Sequence, residues 1–87
     1  MIKVERIGEN NFRVVVDEGS SRTEHTVTVR QDYYQMLTGG SITPEELVRK
    51  SFEFLLEREP KESILSSFDL PVIQRYFPNY ERVIRSH

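Results

Sequence analysis

Few side chains in this sequence have the right type and spacing for chemistry. His25 is the only histidine inside the chain, the other being His87 at its end. Histidine is the side chain most used as acid, base or metal ligand, but that work needs carboxylates or further histidines converging on it. Here the acids lie at unrelated positions. A histidine alternating with Thr23, Val27 and Val29 on one strand face reads more simply as hydrogen-bonded at a sheet rim. Glu53, Glu57, Glu59 and Glu62 gather around Arg58 and Lys61. Paired carboxylates do acid–base work when one is buried, and on a polar helix face they are solvated. The stretch Leu37-Thr38-Gly39-Gly40-Ser41-Ile42-Thr43 enters a helix start, where free N–H groups attract anions. A phosphate loop needs more glycines and a lysine, whereas a helix stop followed by a capped start explains every residue here.

The aromatic clusters Tyr33-Tyr34 and Tyr76-Phe77-Pro78-Asn79-Tyr80 are the remaining candidates. Stacking on nucleic-acid bases calls for aromatics interleaved with basic residues. Arg30 flanks the first cluster, and Arg75 and Arg82 the second. Core packing accounts for Tyr33, Tyr76 and Phe77. Tyr34 and Tyr80 are expected at the surface, where tyrosine is enriched in protein interfaces. No Ser-His-Asp order, no Gly-x-Ser-x-Gly elbow, no paired-histidine metal motif and no cofactor motif occurs. The pattern therefore argues for a protein that is not an enzyme, with neither cofactor nor metal.

The elements that would carry these residues fall into two groups. Ile2–Ile7, Phe12–Val16 and Arg22–Arg30 alternate apolar and polar residues and are separated by the turn clusters Gly8-Glu9-Asn10-Asn11 and Asp17-Glu18-Gly19-Ser20-Ser21. They predict a three-stranded antiparallel meander over residues 1–30. The rest, residues 31–87, predicts three to four helices packed on one face of that sheet. Gln31–Thr38 is a short helix with Tyr33, Met36 and Leu37 on one side. Thr43, Pro44 and Glu46 spell a capping box with proline at the first helical position, and Ile42 with Leu47 forms a hydrophobic staple. The helix they start runs to about Arg58 on a stripe of Leu47, Val48, Ser51, Phe52, Leu55 and Leu56. Phe54 falls off that stripe, either exposed or covered by a later segment. Pro60–Phe68 reads as a short helix burying Ile64, Leu65 and Phe68. Asp69 reads as the cap of a helix over Leu70–Phe77 that turns Ile73, Tyr76 and Phe77 inward. Tyr80–Arg85 adds a last turn, and Ser86-His87 frays. Strands first and helices after argue an α+β fold.

The arithmetic narrows the class. Eighty-seven residues make one domain, 1–87. Absence of cysteine removes disulfides, zinc ribbons and a thiol nucleophile. Four tyrosines and five phenylalanines are too many for a disordered chain. Five basic residues face six acidic ones up to position 43, and seven face eight after it, so neither part has the basic excess of a nucleic-acid binder. The start, Met1-Ile2-Lys3-Val4-Glu5-Arg6, has no basic region leading into an apolar run, and no apolar stretch approaches a membrane span. The expected location is the cytoplasm, with no membrane partner.

Four segments carry a family resemblance. Tyr34-Gln35-Met36-Leu37-Thr38-Gly39-Gly40, Pro44-Glu45-Glu46-Leu47-Val48, Ser51-Phe52-Glu53-Phe54-Leu55-Leu56-Glu57-Arg58-Glu59-Pro60 and Ile73-Gln74-Arg75-Tyr76-Phe77-Pro78-Asn79-Tyr80-Glu81 resemble a family of small uncharacterised bacterial and archaeal proteins. The resemblance covers over half the chain. That family brings no established activity, so it implies no functional residue. Separately, a meander followed by an amphipathic helix is similar to HicB-type antitoxin domains. This chain adds helices where that fold returns a strand, so the likeness is one of layout alone.

The reading that follows is a small protein-interaction or regulatory module that binds an unidentified protein or a second copy of itself. Its contact would be a free sheet edge near Arg13–Asp17 or Arg22–Arg30. The candidate surface residues are His25, Arg30, Tyr34, Arg75, Tyr80 and Arg82. The alternative is a nucleic-acid-binding regulatory protein using Arg30, Arg75, Arg82 and Arg85 beside Tyr34, Tyr76 and Tyr80, which requires a local basic patch.

Overall fold

A computed structural model describes residues 1–86, so His87 and its share of the expected frayed end lie outside the described residues. Ser86 itself is tied down, its N–H donating to the carbonyls of Arg82 and Val83. The chain forms β1 (Ile2–Arg6), β2 (Asn11–Asp17), β3 (Arg22–Thr28), α1 (Gln31–Thr38), α2 (Pro44–Leu56), β4 (Ser67–Asp69), α3 (Val72–Tyr76) and α4 (Tyr80–Arg85). A single 3₁₀ turn at Lys61–Ser63 precedes β4. The class is α+β. The sheet, however, has four strands in the order β1-β2-β3-β4, with β4 parallel to β3 and the other neighbours antiparallel.

The fourth strand corrects the expected helix over Pro60–Phe68. Ile64, Leu65 and Phe68 have helical spacing, but pairing with the backbone donors and acceptors along the edge of β3 overrides it. The returning chain pairs them. Thr26 N–H donates to the Ser66 carbonyl at 2.8 Å, and Leu70 N–H donates to the Thr28 carbonyl at 2.9 Å. Residues 31–87 are thus not wholly helical, the edge expected at Arg13–Asp17 does not exist, and the one expected at Arg22–Arg30 is covered over Thr26–Thr28. β2 lies inside the sheet, and β4 pairs with the last three residues of β3, leaving the Arg22–His25 stretch without a strand on that side.

The strand alternation survives intact. Phe12, Val14, Val16, His25 and Val27 are buried on one face, while Lys3, Glu5, Arg13, Glu24 and Thr26 are exposed on the other. The helices cover the apolar face, and one hydrophobic core draws on the sheet and all four helices. α2 is the central element. Thr43 Oγ1 accepts from Glu46 N–H at 3.1 Å, and the Glu46 carboxylate accepts from Thr43 N–H at 2.9 Å. Arg49 Nη1 donates to the Ile2 carbonyl at 2.6 Å, fixing α2 across β1. Phe54 is buried after all, because Phe77 and Tyr80 meet it edge-on with ring centroids 5.8 and 5.2 Å away.

The short helices differ in phase from the expectation. In α1 Tyr34 and Leu37 are buried and Met36 is exposed. Asp69 does not cap a helix over Leu70–Phe77. It ends β4 beside Arg30, at 3.4 Å, and α3 begins only at Val72, after Pro71. The later start turns Tyr76 outward and leaves Ile73 as the buried residue of α3.

Two substitutions test this account of α2. Thr43→Ala should cost about 1 kcal/mol by removing the cap, and Phe52→Ala about 3–5 kcal/mol by opening a cavity in the core. Urea unfolding followed by far-UV circular dichroism measures both. An unchanged midpoint for Phe52→Ala contradicts the assigned helix face.

Candidate functional site

His25 is structural in this setting. It is 3% exposed, and both ring nitrogens are engaged. A carbonyl can only accept, so Nδ1–H donates to the Leu65 carbonyl at 2.8 Å. Nε2 then accepts from the Thr23 hydroxyl, also at 2.8 Å, in the neutral tautomer. The ring packs on Phe52 at 5.2 Å. Among the described residues no carboxylate bonds to it.

Tyr34 and Tyr80 are buried, which corrects their expected place at the surface. The Tyr34 hydroxyl donates to the Ile42 carbonyl. Tyr80 is wholly inaccessible. Ser51 donates to the Leu47 carbonyl at 2.8 Å, so the Tyr80 hydroxyl donates to Ser51 Oγ at 2.6 Å. Burial pushes the Tyr80 phenol well above its ordinary range. Tyr33 is half-buried and donates to Glu81 Oε2 at 2.9 Å; burial, and then that bond, raise its phenol too. Neither Tyr34 nor Tyr80 can stack on a base. Arg30 is engaged by Asp69, and Arg75 and Arg82 are exposed with no carboxylate partner among the described residues.

The surface feature that stands out joins residues far apart in sequence. A hollow of about 220 Å³ opens between Leu55 at the end of α2, Ile64 and Leu65 after the 3₁₀ turn, Phe68 of β4, and Ile73 and Tyr76 of α3. Leu65 and Tyr76 are 47% and 67% exposed and stand at its rim. Its one charged lining residue is Glu59. The Glu59 carboxylate has no hydrogen-bond or ion-pair partner among the described residues, and burial raises its pKa. Sequence reasoning missed this site because it assigned Leu65, Phe68 and Tyr76 to helix interiors. The only available signal was the pair of prolines, Pro60 and Pro71, which bracket a stretch too interrupted for one helix.

A second ionisable group was also missed. Lys61 is almost fully buried, with its ammonium 2.6 Å from Glu18 and 2.8 Å from Glu62. These bonds raise its pKa. An amine held protonated by two carboxylates is a poor nucleophile. Its role is to clasp the β2–β3 turn to the 3₁₀ turn, which sets one end of the hollow.

Comparison with protein-family models, with curated proteins and with solved structures finds no match to this chain. Among the described residues, no three histidine or acidic side chains are arranged to hold a metal ion. No described helix is long and apolar enough to cross a membrane.

The titratable groups give two expectations. Glu59 titrates above the ordinary 4.5, so its ionised form opposes folding. Glu59→Gln should therefore stabilise the protein at neutral pH, with the gain vanishing as the pH falls to 4.5. Thermal melting of both proteins at pH 7 and near pH 4 checks this; a less stable variant at pH 7 contradicts it. Glu46 and Glu62 behave in the opposite sense. Hydrogen bonds from Thr43 and Lys61 lower their values, so their stabilisation is present above 4.5 and lost as the pH falls through the folded values. Lys61 is raised from 10.5, so its contribution is full below that pH and lost on further rise. Urea midpoints across pH should fall at both extremes, and Lys61→Met should flatten the alkaline fall.

Proposed function

We propose that this chain is a small cytoplasmic protein-interaction module with a regulatory role, and that the hollow beside Leu65 and Tyr76 is its contact surface. The observation that carries the reading is the pairing of an apolar depression of about 220 Å³ with two large exposed apolar side chains on its rim. Sites for small ligands and cofactors enclose about 300–1,000 Å³. This one is smaller and suits a single bulky side chain. Exposed tyrosine and leucine around a side-chain-sized recess are what the core of a protein–protein contact presents, and aromatic anchors carry much of the energy there.

The sheet edges are weaker candidates. β4 offers only three residues, and β1 has its Ile2 carbonyl covered by Arg49 and charged side chains at Lys3, Glu5 and Arg6. Short, charged edges discourage strand addition. The outer sheet face mixes signs, with Glu5 beside Arg13 and Glu24 beside Arg22, and offers no basic field for a phosphate backbone.

A photo-crosslinking residue introduced at Tyr76, compared with one at Thr26 on the outer sheet face, tests the reading in cells. Position 76 should give a discrete protein adduct that survives nuclease, and position 26 should give none. Equal adducts from both positions, or an adduct that disappears with nuclease, contradict it.

A further inference from the structure

Glu59 is the odd member of its neighbourhood. The acids around it are matched: Glu57 lies 3.3 Å from Arg58, and Glu62 and Glu18 both reach Lys61. The cations nearest it in sequence are withheld. Arg58 donates to the Phe54 carbonyl at 2.9 Å, and its guanidinium stacks 3.6 Å from the centroid of the Phe54 ring. Lys61 is closed in by its two carboxylates and is 4% exposed along its side chain. Glu59 is left as the one charge lining a mostly apolar hollow. A carboxylate in apolar surroundings costs stability unless a cation compensates it. The described residues supply none, while the open side of the hollow leaves room for one from outside.

We propose that the hollow receives a segment of a partner protein carrying one bulky apolar side chain beside a lysine or arginine. The apolar group fills the recess between Leu55, Ile64, Phe68 and Ile73, and the cation meets the Glu59 carboxylate. The proposal rests on the hollow being the contact surface. Two features fit the same occupant. The recess holds about one large side chain rather than a whole ligand, which leaves the cation at its mouth. Tyr76, 67% exposed on the lining of the same hollow, offers the cation an aromatic ring as well, since a ring face attracts lysine and arginine. Charge pairing at a partly shielded site of this kind selects partners more than it tightens them.

A phage-displayed random peptide library selected on the full chain tests this. The selected sequences should pair Leu, Phe or Trp with a nearby Lys or Arg. The best peptide, labelled and titrated by fluorescence anisotropy, should bind Glu59→Gln about three- to five-fold more weakly, the size expected of a partly exposed ion pair. Salt should weaken binding to the natural protein and hardly affect the variant. Because Glu59→Gln is expected to be at least as stable as its parent, misfolding does not explain a loss, and melting curves confirm this. Tyr76→Ala should reduce binding by either protein.

Each failure has its own signature. Selected peptides without basic residues, or equal binding by Glu59→Gln with Tyr76→Ala still impaired, overturn the charge assignment and leave the contact surface standing. Binding indifferent to both substitutions, or no enrichment at all, overturns both. Phenethylammonium binding as tightly as the peptide would make this a small-amine site and overturn the peptide assignment.

Discussion

The hydrogen bond from His25 Nδ1 to the Leu65 carbonyl ties the meander to the returning chain where the sequence gives them no local reason to meet. It spans 40 positions and lies in the buried layer beside Phe52. Behind it the Thr23 hydroxyl occupies the second nitrogen, so the imidazole sits in one orientation. With the Leu65 carbonyl held there, the next residues can only run alongside β3. Ser66 and Leu70 then bond to Thr26 and Thr28, and Ser67–Asp69 becomes the fourth strand. The same placement keeps the Leu65 side chain outside, at the rim of the hollow. An apolar residue at position 25 would pack well enough on Phe52 but would leave that carbonyl without its donor.

The helical side is held in a similar way by phenols. Tyr80 bonds to Ser51, Tyr34 to Ile42 and Tyr33 to Glu81, and each bond crosses between elements or closes a loop. A buried tyrosine fills space like phenylalanine but needs one acceptor, so it tolerates fewer arrangements. The tyrosines best placed in the sequence to reach a partner are thereby withdrawn from the surface. The one left outside, Tyr76, gains its significance from that contrast.

Much of the framework is legible from local patterns. The alternation of Thr23, His25, Val27 and Val29, the capping box at Thr43 and Glu46, and the stripe from Leu47 to Leu55 each depend on residues within a turn or two of one another. What was not legible depends on tertiary pairing. Ser67-Phe68-Asp69 is too short to show an alternation, and its partner is supplied by β3. The phase of α3 follows from where β4 lets the helix begin, and a two-residue shift is enough to turn Tyr76 outward while Ile73 stays buried. Tyr34 and Tyr80 were misplaced because a short helix has no stripe long enough to fix its inward face. The hollow and the isolation of Glu59 were least accessible, since they require knowing that Arg58 turns to Phe54 and Lys61 to Glu18.

The parallel pairing of β3 with β4 also bears on the order of assembly. Thr26 and Ser67 are neighbours in the sheet, though about forty residues separate them in the chain. β1, β2 and β3 can zip together as consecutive hairpins, whereas closing the longer loop costs entropy before any contact rewards it. On the ribosome β3 therefore emerges well ahead of the strand that covers it. Over that interval its outer donors are available to the same segment of another nascent copy. The three-residue length of β4 keeps small what such an encounter can gain, so brevity here serves the neighbours of the chain as well as the chain itself.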